Sequence, residues 1–396
     1  VGLPDVGVFV PEISGPFSAK GNGKKTPEGW NVTFDAKGPS GTTATVGGVV
    51  RDDGDLDIKV SGAAPLGLSA PFIQPRILQG QMDFDLAVRG APVLSSISGT
   101  VTTEGASFSE PNLRLGLTDI ATNAKLANGG VRLDTSASVS SGGTIRVNGP
   151  IQLSGKLDSD LKVALNNVGL VDPNLYETTV DGAIAVRGPL LGGANIGGQI
   201  DIGATEIQVP TSGFGLVGEI PDIQHIGASE GVTQSLARAG LLDKPSEQTD
   251  KAGGPVYGLD VLVRAPSKIF VRGRGLNAEL GGELRLTGTT ASIISAGRFD
   301  LIRGRLDLLA KRFDLDEGTI QMQGSLIPFI RFVSSTTESD FTATVILEGP
   351  ADEPKISFDS VPDAPDDEIL AYLLFGKSVS DISALQAVQL ANAVAT

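Results

Sequence analysis

The chain has 396 residues, 40% of them apolar, with a formal net charge of −15. That is enough apolar material for a core and the wrong sign for a phosphate-binding surface. There is no cysteine, which excludes disulfide scaffolds, thiolate zinc sites and thiol nucleophiles without assigning a compartment.

Glycine is abundant, at 52 residues, and aromatic residues make up only 5%. With no glycine period, this points to many strands and turns and away from collagen. Val1 is read as the start of a fragment, since no initiator methionine, signal peptide or membrane-spanning apolar run is present. Alternation then governs the sequence. Leu56, Ile58 and Val60 alternate with Asp57 and Lys59, and Met82, Phe84, Leu86 and Val88 alternate with Asp83, Asp85 and Arg89. Such runs make strands with one dry and one wet face. D-L-A-V-R-G-A-P over 85–92 returns as A-I-A-V-R-G-P-L over 183–190. The spacing is irregular, so the unit is a loosely repeated strand and not a strict solenoid. Residues 1–209 form the N-terminal part of the sheet.

Residues 210–255 break this pattern. A short helix is predicted over 229–242, capped by Ser229 or Glu230, followed by a polar, turn-rich loop. Alternation resumes over 256–361, in the runs Leu259, Val261, Val263; Leu276, Ala278, Leu280; Leu284, Leu286; Phe299, Leu301; and Phe341, Ala343, Val345, Leu347. Glu279, Arg285 and Thr344 fall on the wet face. One sheet is expected to continue across the break. Residues 362–396 are a helical segment. Pro362 and Pro365 end the extended chain, and Asp366 is expected to cap a helix carrying Asp367 and Glu368 in its first turn. Ile369, Leu370, Leu373, Leu374 and Phe375 form its apolar stripe, Gly376 is placed at a left-handed C-cap, and a second helix is predicted near Ser383. Roughly 25 strands at about 4.8 Å give a length on the order of 120 Å. An open sheet of that size must curl or close. Alternation alone is compatible with a trough, a β-helix or a barrel.

Few residues offer chemistry. His225 is the sole histidine and lacks the partners of a catalytic site. Residues 52–57 carry four aspartates around a glycine but lack the length and closing glutamate of a calcium loop, so they are read as a turn. Residues 21–26 fail as a phosphate loop, with Ser18 and Lys25 at positions that need glycine and Ser/Thr. Arg272 opens an R-G-R-G run read first as exposed cations on a strand edge and second as a lipid-headgroup contact. Asp300, Asp307, Asp314 and Asp316 have outward strand spacing and do not form a paired-carboxylate site. No metal site, cofactor or catalytic residue is expected. The aliphatic faces remain, as ordinary core or as a dry groove for acyl chains. The helix stripe is read as a cap over the sheet end, with partner docking second; its acidic first turn disfavours an anionic membrane surface.

Several stretches carry a more specific pattern. They are V-x-V-R-A-P-x-x-I-F-V-R-G-R-G-L-x-A-E-L from Val261, G-R-F-D-L-I-R-G-R-L-D-L-L over 297–309 and F-D-L-D-E-G-T-I over 313–320. To these are added S-x-P-x-x-P-x-D-E-I-L-x-x-L-L-F-G ending at Gly376 and S-x-L-Q-A-x-Q-L-A from Ser383. Together, across about 259–393, they resemble the C-terminal domain of the TamB family of AsmA-like bridge proteins; upstream of about Ile207 the likeness is one of style. The resemblance implies a mostly β, elongated, twisted, U-shaped (taco-like) trough with an apolar interior, short C-terminal helices and one short internal helix. It further implies a non-enzymatic periplasmic portion of a Gram-negative inner-membrane protein, whose anchor lies upstream and whose final strand-rich segment lies downstream. Its partners would be phospholipids and an outer-membrane barrel of the TamA or BamA type. Its work would be passive phospholipid conduction along the groove and support of outer-membrane protein and autotransporter assembly. The groove lining would be the aliphatic set from Leu259 to Leu347 named above. Two other readings stay open: a scaffold that templates nascent barrel strands through exposed edges, and, with weaker repeats than it requires, an adhesin β-solenoid.

Overall fold

A computed structural model describes residues 2–3, 15–111, 114–172, 175–208, 255–273, 275–308, 311–338, 340–383 and 385–387. The helix predicted over 229–242 and His225 lie outside the described residues. In chain order the strands are β1 (Gly2–Leu3), β2 (Phe17–Thr26), β3 (Gly29–Lys37), β4 (Thr43–Val50), β5 (Leu56–Pro65), β6 (Ile77–Gln79), β7 (Gln81–Gly90), β8 (Ile97–Glu110), β9 (Leu115–Ala127), β10 (Gly130–Val139) and β11 (Thr144–Gln152). They continue with β12 (Asp158–Asp172), β13 (Tyr176–Pro189), β14 (Asn195–Ile202), β15 (Thr205–Gln208), β16 (Gly258–Gly273), β17 (Leu276–Thr289), β18 (Ser292–Leu308), β19 (Lys311–Gln323), β20 (Phe329–Glu338), β21 (Phe341–Pro350) and β22 (Lys355–Val361). Among the described residues two α-helices accompany them, α1 (Ala70–Ile73) and α2 (Asp366–Phe375). All 22 strands belong to one sheet.

The pairing is that of a long meander. Most strands pair antiparallel with their neighbours in sequence, joined by short turns. Residues 51–55 make one of these, with the Arg51 amide donating to the Asp55 carbonyl and the Asp55 amide to the Asp53 carboxylate. Two places differ. β6 and β7 lie end to end along β8, and β14 and β15 lie end to end along β13. Both β14 and β15 pair in parallel with β16, so the sheet continues unbroken across 210–255. A parallel neighbour needs a long crossover, which is why this junction has no hairpin. Since two pairs of strands share a position, the 22 described strands span about 90 Å at the usual interstrand spacing, against the length on the order of 120 Å expected from roughly 25 strands. Among the described residues β1 and β22 each have one strand neighbour, so no pairing closes a barrel. The antiparallel ladders exclude a parallel β-helix.

Register gathers the aliphatic residues on one face. Residues directly opposite in an antiparallel pair share a face. Phe34 stands opposite Val46, Val46 opposite Val60, and Val60 opposite Leu86. Further along, Val147 faces Val163 and Val163 faces Ile184. Across the parallel junction Ile200 faces Val263, and Val263 faces Leu284. Glycines interrupt these rows beside bulky side chains, as Gly282 does opposite Phe299. A Cβ on Gly282 would collide with the Arg298 carbonyl oxygen and come within 2.7 Å of the Phe299 Cα, so only glycine permits that close approach.

A crease crosses the strands near their middles. Register shifts occur between Thr103 and Ala106, between Ser136 and Ser138, between Leu165 and Val168, between Ala265 and Ile269, between Glu279 and Leu280, and between Leu315 and Glu317. Several carry a residue in the left-handed region: Gly105 (φ 65°), Asp119 (φ 50°), Asn167 (φ 47°) and Lys268 (φ 67°). A bulge bends its strand and sharpens its twist. Bulges aligned across neighbouring strands therefore bend the sheet along one line. Burial follows that line. Ala106, Ile120 and Ala137 form one buried cluster, Val139, Val168 and Val180 a second, and Ala265, Ile269, Val271, Leu280 and Phe332 a third. Leu280 and Ala265 are each 1% exposed, although they belong to a single-layer sheet. The third cluster and the residues packed against it come from every strand between β14 and β21, so the crease is dried by side chains of many neighbouring strands.

Candidate functional site

The inner face is built from period-two alternation on both sides of the crease. Leu259, Val261 and Val263 on β16 stand opposite Gly288, Leu286 and Leu284 on β17. Leu276, Ala278 and Leu280 continue that strand on the other side of the crease, opposite Leu306, Gly304 and Leu301 on β18. Phe299 faces Ile320, and Leu347 faces Phe332. None of the fourteen aliphatic positions singled out from sequence is exposed. Val261, Ala278, Leu280, Ala343 and Val345 are buried and the others half-buried.

The structure divides these positions by what covers them. Leu280 belongs to the crease core, against which Leu276, Phe299, Leu301 and Leu347 pack. Phe341, Ala343 and Val345 lie beneath α2. Leu259, Val263, Leu284 and Leu286 belong to none of the buried clusters among the described residues. They are half-buried aliphatics on a wall that no other described element is shown to cover. A smaller apolar recess of about 150 Å³ lies in the N-terminal half, lined by Leu66, Leu78, Met82, Val101, Ala106 and Ile120. It is roofed by Leu66, whose amide donates to the Gly80 carbonyl.

The outer face is wet and laced with ion pairs between neighbouring strands. Arg285 grips Asp260 through two bonds of 2.8 and 3.0 Å. Arg187 reaches Asp160 at 3.1 Å and Arg264 reaches Asp201 at 3.4 Å. The Arg285 hydrogen bond holds the Asp260 carboxyl below its ordinary range, and Asp260 raises the Arg285 guanidinium in turn. Asp300, Asp307, Asp314 and Asp316 are all exposed on this face. Arg272 pairs with Glu206 at 2.5 Å and lies over the Phe270 ring. Glu279 is an exception: it is buried, accepting from Arg303 Nε at 2.7 Å and from the Lys268 amide at 3.3 Å. The bulge at Lys268 turns that amide toward the carboxylate, so a residue on the wet face becomes the anchor of the crease.

The C-terminal helix sits on the inner face. Pro365, in extended conformation, occupies the N-cap and makes no side-chain cap bond. Asp366 is therefore the first helical residue and not the cap, its charge joining those of Asp367 and Glu368 in the first turn. Gly376 closes the helix in the left-handed region at φ 66°, its amide donating to Tyr372. Ile369, Leu370 and Leu373 are buried, together with Ala371, against Phe313, Ala343 and Val345; Leu374 and Phe375 pack at the margin. The Tyr372 ring stacks on Phe341 with centroids 4.0 Å apart. A further helical turn begins at Ser383, whose amide bonds Gln386 Oε1 while the Gln386 amide bonds Ser383 Oγ, a reciprocal capping arrangement.

Sequence reasoning missed Leu306, Phe313, Phe332, Ile269 and Val271 on the same face, and the short α1. Among the described residues no group of three or more His, Asp or Glu is placed to hold a metal, and no helix is long and apolar enough to cross a membrane. What the arrangement offers chemically is a dry face bordered by a charged one, fit for partition of apolar chains.

These features define a class: a long single-sheet β protein with a continuous aliphatic inner face and a helix seated on one end. A family model described as the TamB C-terminal domain matches residues 133–396, and the chain belongs to that family. The match begins well upstream of the motifs that carry the resemblance in the sequence. The chain is also similar to the "Translocation and assembly module subunit TamB" of Haemophilus influenzae (strain ATCC 51907 / DSM 11121 / KW20 / Rd), 21% identical over 289 residues that cover 69% of this chain and 22% of that protein. The chain thus spans about a fifth of the length of the curated relative it matches.

Proposed function

We propose that this domain is a passive conduit for phospholipid acyl chains, within a periplasmic bridge of the translocation and assembly module type. The parent protein would be anchored in the inner membrane, reach an outer-membrane barrel of the TamA or BamA type, and support assembly of outer-membrane proteins and autotransporters. The supporting observation is the aliphatic face that runs from strand to strand across the sheet and keeps Leu259, Val263, Leu284 and Leu286 half-buried and, among the described residues, outside the buried clusters. An acyl chain entering such a face leaves water at about 0.8 kcal/mol per buried methylene. Repetition of near-equivalent sites lets it slide from strand to strand. Direction comes from a gradient or a partner, as a passive groove holds no energy source.

The test is transfer of a fluorescent phospholipid between vesicles by the purified protein. Leu284→Glu and Leu286→Glu place a charge on the open wall and are expected to slow transfer by at least about tenfold, the cost of an unpaired charge beside an acyl chain being several kcal/mol. Arg285→Glu, on the outer face, is expected to leave it unchanged. Equal rates for all three would overturn the reading.

A second reading has its own observation. β22 has one strand neighbour among the described residues and exposes Ile356 and Val361, the latter by 71%. Such an edge can add a strand from a nascent barrel. Proline substitution within β22 is expected to abolish that activity and leave lipid transfer intact.

A further inference from the structure

The seat of α2 is the part of the inner face whose occupant is visible. Leu306 on β18, Phe313 on β19, Val345 on β21 and Phe358 on β22 form one aliphatic and aromatic floor. Leu306 stands opposite Phe313, and Val345 opposite Phe358. This floor continues into the crease core through Val345 and Leu347 on the same strand. The strands beneath are paired through their own ladders, so the helix supplies none of the sheet's backbone hydrogen bonds.

The attachment of the helix is apolar. Among the described residues no ion pair and no side-chain hydrogen bond joins 366–375 to the strands below. Glu368 instead accepts the Val379 amide at 3.0 Å, and Asp367 accepts the Glu368 amide at 3.0 Å. Side-chain contact with the sheet comes from Ile369, Leu370, Ala371, Leu373 and the Tyr372 ring, with Leu374 and Phe375 at the margin. Its first turn, with three acidic residues and no cation, gains nothing from the floor. The helix joins β22 through a short tether exposed at Pro362, Asp363 and Pro365 and packed against the cluster only at Ala364. Contacts of this kind are non-directional and scale with apolar area, so another apolar chain of similar area can replace them.

We infer that the seat of α2 is an acyl-binding subsite of the groove, and that the helix and a phospholipid acyl chain compete for it, so that the helix closes the C-terminal end of the groove until lipid displaces it. This rests on the groove reading proposed above. A competitor seated nine-tenths of the time lowers the apparent affinity for lipid at the seat by about tenfold.

The absence of cysteine makes the competition directly testable. In Phe341→Cys/Tyr372→Cys, a short bismaleimide bridges the stacked pair and pins the helix. Lipid is presented as vesicles of phosphatidylethanolamine and phosphatidylglycerol bearing a photoreactive acyl chain, and adducts are mapped at Val345 in the seat and at Leu286 on the open wall. Bridging is expected to cut adducts at Val345 to background relative to the unbridged double variant, with those at Leu286 unchanged. In the unaltered protein, the same vesicles are expected to speed amide exchange across 369–375 by about tenfold while 343–347 stay protected. Unchanged helix exchange together with equal Val345 adducts before and after bridging would overturn the competition and leave the groove standing. Absence of adducts at both positions would overturn the groove reading itself.

Discussion

Leu280 and Leu286 lie six residues apart on β17, face the same side and answer to different neighbours. Leu280 is buried in the crease core, and Leu286 is half-buried and belongs to no buried cluster among the described residues. Leu280→Ala is therefore expected to cost about 2–5 kcal/mol, and Leu286→Ala less than about 1.5 kcal/mol, both read from urea denaturation. Similar losses at the two positions would show that the wall is as tightly covered as the crease. On the outer face, Asp260 titrates below its ordinary range because Arg285 is bonded to it. The pair's contribution is present above the unfolded carboxyl's pKa and is lost as pH falls through the lower folded value. Both groups are exposed, so the effect is small and screened. Asp260→Asn is expected to flatten the acid limb of the stability profile slightly, and the difference is expected to vanish at about 1 M salt. A difference that persists at high salt would place the pair in a drier setting than the structure gives it.

At the scale of the element, what was legible in the sequence and what was not separate cleanly at the bulges. β5, β7 and β21 keep one parity from end to end, and alternation reads them correctly. β18 does not. Phe299 and Leu301 face inward, Ile302 is squeezed out at 51% exposure, and Gly304 and Leu306 resume the inner face on the other parity. A period-two template stops at Arg303 and so loses Leu306. β12 flips in the same way at Asn167, passing from Leu165 to Val168, and β19 flips between Leu315 and Gly318. A bulge arises from pairing with the next strand, which a single segment does not encode. The helix α2 was legible because caps and spacing are local, while the N-cap fell one residue earlier, on Pro365. The four-residue α1 left no periodic signal at all. The left-handed bulge residues give this scale its own test. Lys268→Val forces a β-branched side chain into φ 67° and is expected to cost about 1–2 kcal/mol. Lys268→Gly is expected to fold normally. Tolerance of valine at this position would mean that the crease does not depend on the bulge.

At the scale of the molecule, one sheet with one dry face explains the composition met at the outset. Abundant glycine lets strands crowd beside bulky residues along the inner face, and scarce aromatics leave that face shallow and uniform. The described sheet is shorter than the sequence suggests because it holds 22 strands against the roughly 25 expected, and because broken strands such as β14 and β15 occupy one position. Family membership rests on residues 133–396, whereas the dry face extends further toward the N-terminus, through Phe34, Val46 and Val60. The most direct test of lipid conduction is a photocrosslinking scan of the protein with phospholipid vesicles, with the probe amino acid at Val263, Leu284 and Leu286 and at Asp260, Glu283 and Arg285. The account expects phospholipid adducts at the aliphatic three and none at the charged three. Lipid adducts spread equally over both sets, or protein strands captured in place of lipid, would contradict it.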